Sequence, residues 1–275
     1  MHATELRAVL KRHFGYDGFR PGQEPLIRAV LEGRDALGIL PTGGGKSVCY
    51  MLPAALLVGL TVVVSPLVSL MEDQVGRAAE AGIPAASLNA SLPSERRREV
   101  ARRLRAGELR LLLVAPERFA VARFRALLGE VPISLMAVDE AHCISQWGHD
   151  FRPSYMALGT VRASLGAPCM ALTATATPRV RDEIAGVLGL TRPERVVGSF
   201  DRPNLSWEVV GVRSEAEREA TAVRRLRALV RADHGVGVVY VATRRAAEVL
   251  RDRLAAVGLP VQAYHAGMRG ESRSR

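Results

Sequence analysis

The sequence predicts an α/β protein whose parallel β-sheet is covered by helices on both faces. Short apolar runs alternate with segments of helical length along most of the 275 residues, and repeated strand–helix units make right-handed crossovers between parallel strands. Apart from Thr61, Ser65 and Thr173 at their ends, the runs are apolar, which is typical of strands that are buried on both faces. They comprise residues 36–40, 61–65, 111–114, 135–138, 170–173 and 236–241.

The second run lies inside a charge-free stretch, residues 47–71, which is long enough to cross a bilayer. Pro53, Gly59 and Pro66 divide this stretch into the end of a helix, a strand and the start of a second helix. We therefore interpret it as part of the sheet, and we expect no membrane association.

An arginine-rich predicted helix precedes the third run. Two interpretations of it stay open, because such a helix can present a solvated face or a face that contacts phosphates. The fourth and fifth runs are each followed by a further segment of helical length, which extends the strand–helix alternation. The arginines of the helix are Arg96, Arg97, Arg98, Arg102, Arg103 and Arg105.

Turn-forming residues interrupt the alternation at 199–204, after the fifth run. We therefore predict two domains, one over residues 1–204 and a second over residues 205–275. The second domain contains the run at 236–241, is shorter than a typical domain and is expected to be incomplete.

The composition indicates a globular protein with a polyanionic partner. Hydrophobic residues make up 48% and charged residues 24% of the chain, which excludes disordered and fibrous classes. The 38 basic residues exceed the 28 acidic ones and give a formal charge of +10. Such a field attracts phosphate backbones, so nucleic acid is the expected partner.

The cysteines indicate a reducing compartment. Cys49, Cys143 and Cys169 are scattered without CxxC spacing, so the sequence predicts neither a disulfide framework nor zinc in this chain. Glu5 follows closely on Met1, which is untypical of a signal peptide. We expect a cytoplasmic protein, associated with the nucleoid if the source is bacterial.

A phosphate-binding loop is indicated between the first run and the helix after it. Glycines let backbone N–H groups turn towards phosphates, and a helix N-terminus adds positive potential. Lys46 is one of only two lysines in the chain; its ammonium suits the β- and γ-phosphates, and the Ser47 hydroxyl suits Mg²⁺. Leu40 replaces the first glycine of the usual pattern. The loop residues are Thr42, Gly43, Gly44, Gly45, Lys46 and Ser47.

Two adjacent carboxylates, Asp139 and Glu140, follow the fourth run. Acids at the end of a buried strand are costly unless a cation or a functional proton needs them. We assign Asp139 to Mg²⁺ and Glu140 to orienting and deprotonating the attacking water. The alternative is an acidic pair that caps the next helix.

Several segments resemble known helicases. Those similar to motifs I, II and III of superfamily 2, the second of DEAH type, are residues 41–47, 139–142 and 173–175. Those similar to the RecQ family of DNA helicases are residues 14–23, 64–71 and 143–153. The resemblance implies a RecA-like P-loop NTPase lobe followed by an incomplete second RecA-like lobe. It also implies an ATP-dependent DNA helicase of repair and recombination that uses ATP and Mg²⁺.

The resemblance also implies roles for individual residues. It assigns adenine recognition to Tyr16, Arg20 and Gln23. His142 joins Lys46 and Glu140 as a catalytic residue. An aromatic-rich loop over residues 145–153, which couples single-stranded DNA binding to hydrolysis, contributes Trp147, His149, Phe151 and Arg152. Thr173 and Thr175 are expected to link the ATP and DNA sites.

The resemblance extends into the second domain at residues 238–244 and 264–268, which are similar to the motif IV region. The family's later motifs have no counterpart in the sequence, including the arginines that reach the γ-phosphate. We therefore expect a chain that binds ATP and DNA, single-stranded or with a single-stranded tail, but does not itself unwind DNA 3′ to 5′. Two alternatives are a non-catalytic DNA-binding or regulatory fragment and an ATPase that acts on RNA.

Overall fold

A computed structural model describes residues 3–147, 150–199, 204–231, 237–265 and 267–268. The chain forms two compact units, residues 1–202 and 203–275. The first unit holds the sheet. None of the helices in the described ranges is long and apolar enough to span a membrane.

The first unit contains a seven-stranded sheet in the order β3-β4-β2-β5-β6-β1-β7, and all neighbouring strands are parallel. This confirms the predicted fold class. The strands are β1 (Ala36–Ile39), β2 (Leu60–Val64), β3 (Ala85–Leu88), β4 (Leu111–Val114), β5 (Ile133–Val138), β6 (Cys169–Thr173) and β7 (Glu194–Val197).

Helices connect the strands and cover the sheet. Two short 3-10 helices, Pro116–Ala120 and Ala141–Ile144, follow β4 and β5. The α-helices of the first unit are α1 (Ala3–Phe14), α2 (Gln23–Leu31), α3 (Lys46–Leu56), α4 (Val68–Glu80), α5 (Ser94–Arg105), α6 (Ala122–Gly129), α7 (Pro153–Met156), α8 (Leu158–Leu165) and α9 (Pro178–Val187).

The core consists of two apolar clusters, one on each face of the sheet. In β2, Val62 and Val64 belong to one cluster and Val63 to the other. Helix α9 packs into the first cluster through Val180 and Ile184, whereas α1 packs into the second. Burial on both sides explains why the central strands are uncharged and almost wholly apolar, with Thr61, Ser134 and Thr173 as their polar residues.

The sequence prediction missed the two strands at the sheet edges, β3 and β7. Each has a neighbour on one side only, and neither is a continuous run of large apolar residues. Strand β3 contains Ser87, and β7 contains Glu194 and Arg195 with Val197 exposed. Edge strands tolerate polar residues, and this weakens the apolar signal on which the prediction relied.

The second unit contains helices α10 (Glu215–Arg231) and α11 (Arg244–Ala256). The strand predicted at 236–241 is wrong for its described part, since residues 237–241 form no strand. Tyr240 is 92% exposed. A β-strand requires hydrogen bonds to a neighbouring strand, and the described residues of this unit supply none.

The sheet topology brings the predicted motifs together. Strands β5, β6 and β1 are adjacent, and the carboxyl ends of parallel strands meet at the same edge. The loops after these three strands begin at Leu40, Asp139 and Ala174. They therefore lie next to one another at one edge of the sheet.

Candidate nucleotide and nucleic-acid site

The loop after β1 turns tightly because its glycines adopt conformations that other residues rarely reach. Gly43 and Gly45 have φ values of 80° and 76°. The Gly44 N–H donates to the Pro41 carbonyl at 2.8 Å, and a Cβ at Gly44 would lie 2.8 Å from that same oxygen. Helix α3 starts immediately afterwards, so the loop ends at a helix N-terminus, which favours bound anions.

Lys46 lies in the first turn of α3 and is partly buried. Its ammonium donates a long hydrogen bond, 3.5 Å, to the Leu40 carbonyl of its own loop. A contact of this length is weak compared with a charge-assisted bond to phosphate. Thr42 and Gly43 are exposed at the loop's outer edge, where they are accessible to a ligand.

Gln23, the first residue of α2, and Arg20, three residues before it, both contact this loop. The Gln23 side chain is buried, donates to the carbonyls of Gly45 at 2.9 Å and Gly44 at 3.3 Å, and accepts from the Arg20 N–H at 2.8 Å. Arg20 Nη1 donates to the Gly43 carbonyl. The structure thus shows contacts from both residues to the phosphate loop, which sequence reasoning did not anticipate.

Tyr16 is placed for stacking. Its ring is half exposed and lies parallel to that of Phe14, with the centroids 6.5 Å apart and an interplanar angle of 11°. The adenine-binding role of Tyr16, Arg20 and Gln23 stays a prediction.

Asp139 and Glu140 follow β5 as predicted from the sequence. The Asp139 N–H donates to the Val64 carbonyl at 2.9 Å, and the Tyr155 hydroxyl donates to the Asp139 carbonyl at 3.1 Å. Glu140 has a left-handed backbone with φ 47°, and its N–H donates to Asp139 Oδ1 at 3.0 Å. A non-glycine residue in this region is strained, which is common where a side chain must point in one direction.

The electrostatics of this pair suit a cation. Burial of the carboxyl and the neighbouring charge of Glu140 raise the pKa of Asp139 to about 6, while the charge of Lys46 acts in the opposite direction. Burial makes this carboxyl group costly to ionise, and a bound divalent cation would stabilise its ionised form. Mg²⁺ prefers oxygen ligands, so the Asp139 carboxylate and the Ser47 hydroxyl suit it chemically, and their role as its ligands stays a prediction.

His142 connects the acidic pair to β6. Its Nδ1 lies 2.7 Å from Thr173 Oγ1 and 3.3 Å from Glu140 Oε2. Thr173 Oγ1 also accepts from the Thr175 N–H at 3.3 Å. Thr175 thus takes part in this network through its main chain.

The aromatic loop continues from His142. Trp147 is 68% exposed, and Phe151 is partly buried. Arg152 donates to the Pro66 carbonyl at 3.0 Å and pairs with Asp150 at 3.2 Å. His149 lies outside the described residues, so its predicted DNA contact has no structural description.

Comparison with known proteins decides the family. Residues 20–184 match the DEAD/DEAH box helicase family. The chain belongs to that family. Within it, the chain is 44% identical over 270 residues to ATP-dependent DNA helicase RecQ of Haemophilus influenzae, covering 98% of this chain and 42% of the relative. It is 40% identical to RecQ of Bacillus subtilis, covering 97% and 45%.

These likenesses confirm the resemblance to RecQ helicases. The chain spans less than half the length of these curated relatives. Two solved structures share the fold: Mycobacterium smegmatis helicase Lhr bound to ssDNA and AMP-PNP, and S. cerevisiae Dbp5 bound to RNA and ADP BeF3. For Lhr the TM-score is 0.69 at 21% identity, covering 97% of this chain and 39% of Lhr. For Dbp5 it is 0.66 at 16%, covering 99% and 69%.

In this helicase chain, α9 holds the aromatic loop through residues that sequence reasoning missed. The Ser145 hydroxyl donates to Glu183 Oε2 at 2.6 Å and accepts from the Trp147 N–H at 3.1 Å. The Arg179 guanidinium lies 4.0 Å from the centroid of the Trp147 ring. The sequence offers only a weak signal for these contacts, namely Arg179 and Glu183 four residues apart on a helix that follows motif III.

Proposed function

We propose that this chain is the ATP- and single-strand-DNA-binding lobe of a RecQ-type DNA helicase, joined to part of a second lobe at residues 205–275. The observation that carries the proposal is a set of contacts that meet at His142. Its Nδ1 lies near Glu140 and Thr173, and its carbonyl accepts from the Ser145 N–H of the aromatic loop at 3.0 Å. These contacts supply a physical route between nucleotide and DNA. The whole protein would unwind DNA 3′ to 5′ in repair and recombination, in the cytoplasm or nucleoid.

ATP would bind with its phosphates in the glycine loop. The backbone N–H groups of Gly43, Gly45, Lys46 and Ser47 and the N-terminus of α3 favour negative charge. Lys46 would exchange its long contact with Leu40 for a charge-assisted contact to the terminal phosphates. Tyr16 would stack on the base beside Arg20 and Gln23.

Ser47 and Asp139 would hold Mg²⁺. When bound, this ion would neutralise part of the negative charge of the phosphates. Glu140 would orient the attacking water and accept its proton, because its carboxylate stands next to Asp139 at the carboxyl end of β5. His142 Nδ1, 3.3 Å from the Glu140 carboxylate, would hold that carboxylate in place.

Single-stranded DNA would bind at the aromatic loop. The exposed Trp147 ring is available for stacking on a base, and base–aromatic stacking tolerates any sequence. Phe151 and Arg152 would contribute a second apolar surface and a phosphate contact, and His149 stays a predicted partner. A change in this loop would reach the ATP site through the hydrogen bond from the Ser145 N–H to the His142 carbonyl, and then from His142 Nδ1 to Glu140 and Thr173.

Two titrations of the purified 275-residue chain test the proposal. A fluorescent ATP analogue with Mg²⁺ should bind, and Lys46→Ala should weaken binding at least about tenfold, since a charged phosphate contact contributes about 1.5–3 kcal/mol. A labelled oligo-dT should bind, and Trp147→Ala should weaken it by about 1–3 kcal/mol. Equal affinities for parent and variants, in variants that remain folded, would refute the corresponding site.

The choice of nucleic acid is tested in the same assay. Oligo-dT and oligo-U of equal length should be compared at several salt concentrations, because backbone contacts depend strongly on salt. Preference for oligo-U would favour an RNA-directed ATPase instead. Binding of DNA without any binding of nucleotide would favour a regulatory DNA-binding fragment.

Unwinding is expected to require more than this chain. The described residues of the second unit form two helices and no paired strand, and transition-state charge in ATP-driven motors is commonly stabilised from an opposing lobe. A strand-displacement assay on a duplex with a 3′ tail should show no ATP-dependent product. Unwinding that Glu140→Gln abolishes would contradict this expectation.

A further inference from the structure

Helix α9 contacts the aromatic loop at two points on one of its faces. Arg179 lies on the Trp147 ring at 4.0 Å, and Glu183 accepts a 2.6 Å hydrogen bond from Ser145. These two residues are four positions apart, so they share a face of the helix. The Ser145 hydroxyl in turn accepts from the Trp147 N–H. Both the ring and the main chain of Trp147 are thus positioned from α9.

Arg179 is exposed, and its charge is not neutralised by an acid in the described part of the chain. The acids beside it on α9 have other partners, since Asp182 pairs with Arg195 at 3.1 Å and Glu183 accepts from Ser145. A guanidinium that stacks on an aromatic ring keeps its N–H donors at its rim, directed away from the ring. Arg179 therefore presents unneutralised charge on one face of the Trp147 ring.

Trp147 retains a surface for a second stacking partner. It remains 68% exposed even though Arg179 lies on its ring. A base that stacks on the uncovered face would bring its sugar-phosphate backbone to the rim of the ring, near the free donors of Arg179. Arginine suits such a contact because its planar fork binds phosphate through paired hydrogen bonds.

We propose that Arg179 is a DNA-contact residue, which binds the backbone phosphate next to the base that stacks on Trp147, and that Glu183 is a positioning residue for the same loop through Ser145. This inference rests on the proposed function, because it requires single-stranded DNA at the aromatic loop. It adds a contact from α9, outside the segment 145–153 that the sequence analysis assigned to DNA.

The first test is a salt-dependent titration with labelled oligo-dT. Arg179→Ala should weaken binding about five- to tenfold at low salt and should reduce the slope of log K against log salt by about 0.7, the value for one phosphate on a single strand. Arg179→Lys should retain the slope, since the charge remains, but bind more weakly than the parent.

Arg12→Ala is the matched control. It removes the same charge from an exposed position on α1, a helix that packs on the opposite face of the sheet from α9. Its affinity should stay within about twofold of the parent, with an unchanged slope. If Arg179→Ala loses no more affinity for oligo-dT than Arg12→Ala does, the proposal is wrong. Tighter binding by Arg179→Ala would also overturn it, because that would show that Arg179 competes with the base for the Trp147 ring.

The fluorescence emission of Trp147 tests the positioning role of Glu183. The chain has two tryptophans, so a Trp207→Phe background isolates the Trp147 signal. Ser145→Ala should shift its emission, because it removes both the partner of Glu183 and the acceptor of the Trp147 N–H. Glu183→Ala should also shift the emission in the parent background, but it should add no further shift in Ser145→Ala, where the hydrogen bond that it breaks is already absent. Additive shifts, or none, would overturn the positioning role.

The Trp147→Ala variant distinguishes a failure of the proposed DNA site from a failure of the Arg179 assignment. If it binds oligo-dT like the parent, the proposed DNA site itself is wrong. If it binds weakly while Arg179→Ala binds like the parent, the DNA site stands and only the assignment of Arg179 fails.

Discussion

His142 Nδ1 lies 2.7 Å from Thr173 Oγ1, although 31 residues separate them in the chain. Both side chains are buried, with 7% and 0% of their surface exposed. His142 lies in the 3-10 helix that follows β5, and Thr173 is the last residue of β6. These two strands are neighbours in the sheet, and their parallel pairing brings both residues to the same edge. A buried hydrogen bond between them makes the position of the acidic pair depend on the loop after β6.

We expect Thr173→Val to uncouple the two sites while leaving each able to bind. Valine matches the shape of threonine but lacks the hydroxyl that contacts His142. The free energy of unfolding should fall by about 1–3 kcal/mol, because a buried polar group loses its partner. The effect of oligo-dT on the affinity for a Mg²⁺-bound ATP analogue should disappear.

Thr175→Ala is the control for that measurement. Thr175 joins the network through its N–H, which alanine retains, so the coupling should persist. Loss of coupling in Thr175→Ala but not in Thr173→Val would contradict the role given to the Thr173 hydroxyl.

Asp139→Asn should stabilise the nucleotide-free protein at neutral pH. The folded-state pKa of Asp139 is raised from 3.8 to about 6, so the folded state binds the proton more tightly than the unfolded state. Stability therefore falls as the pH rises from about 4 to about 6. Asparagine avoids this loss and should add about 1–3 kcal/mol near pH 7.5, with a smaller gain near pH 5.

Thermal unfolding of parent and variant at the two pH values measures this effect. The gain should be accompanied by loss of Mg²⁺-dependent nucleotide binding, which separates stability from function. A variant that is less stable than the parent near pH 7.5, or a gain that is independent of pH, would contradict the cause assigned to the raised pKa.

Gly44→Ala should damage the phosphate loop without unfolding the domain. The new Cβ would lie 2.8 Å from the Pro41 carbonyl oxygen, so the turn must shift. Affinity for the Mg²⁺-bound ATP analogue should fall at least about tenfold, since several phosphate contacts depend on this turn. Gly76→Ala on α4, where a Cβ meets nothing within 4 Å, should bind like the parent and be slightly more stable.

Glu140→Gln should retain nucleotide affinity within about twofold and abolish whatever hydrolysis the parent shows. Glutamine keeps the size of the side chain and can still face His142, but it cannot accept the proton of the attacking water. The measurement is a phosphate-release assay alongside the nucleotide titration. Hydrolysis in Glu140→Gln at the parent rate would exclude Glu140 as the general base.

The central sheet and its motifs were predictable because burial on both faces makes strands β1, β2, β4, β5 and β6 uncharged and predominantly apolar. The glycines, Lys46 and the acidic pair also stand out, since their chemistry is unusual at the end of a buried strand. Edge strands β3 and β7 carry no such signal. The run at 237–241 shows the opposite error, because an apolar run forms a strand only where a neighbour can pair with it.

The contacts around the aromatic loop were not predictable from local patterns. The stacking of Arg179 on Trp147 and the bond between Ser145 and Glu183 join positions more than thirty residues apart. They depend on how α9 packs beside the loop, which is a property of the tertiary structure. Likewise, only the structure shows that Gln23 Nε2 donates to the carbonyls of Gly44 and Gly45 in the phosphate loop.

The most direct test of linked ATP and DNA sites is the affinity of the 275-residue chain for a non-hydrolysable Mg²⁺-bound ATP analogue, measured with and without saturating oligo-dT. Coupling free energies between linked sites are typically about 1–3 kcal/mol and act equally in both directions. We expect the nucleotide affinity to change at least about fivefold, with the same factor for oligo-dT when the analogue is present. Tight binding of both ligands with no mutual effect would contradict linkage through His142 and Thr173.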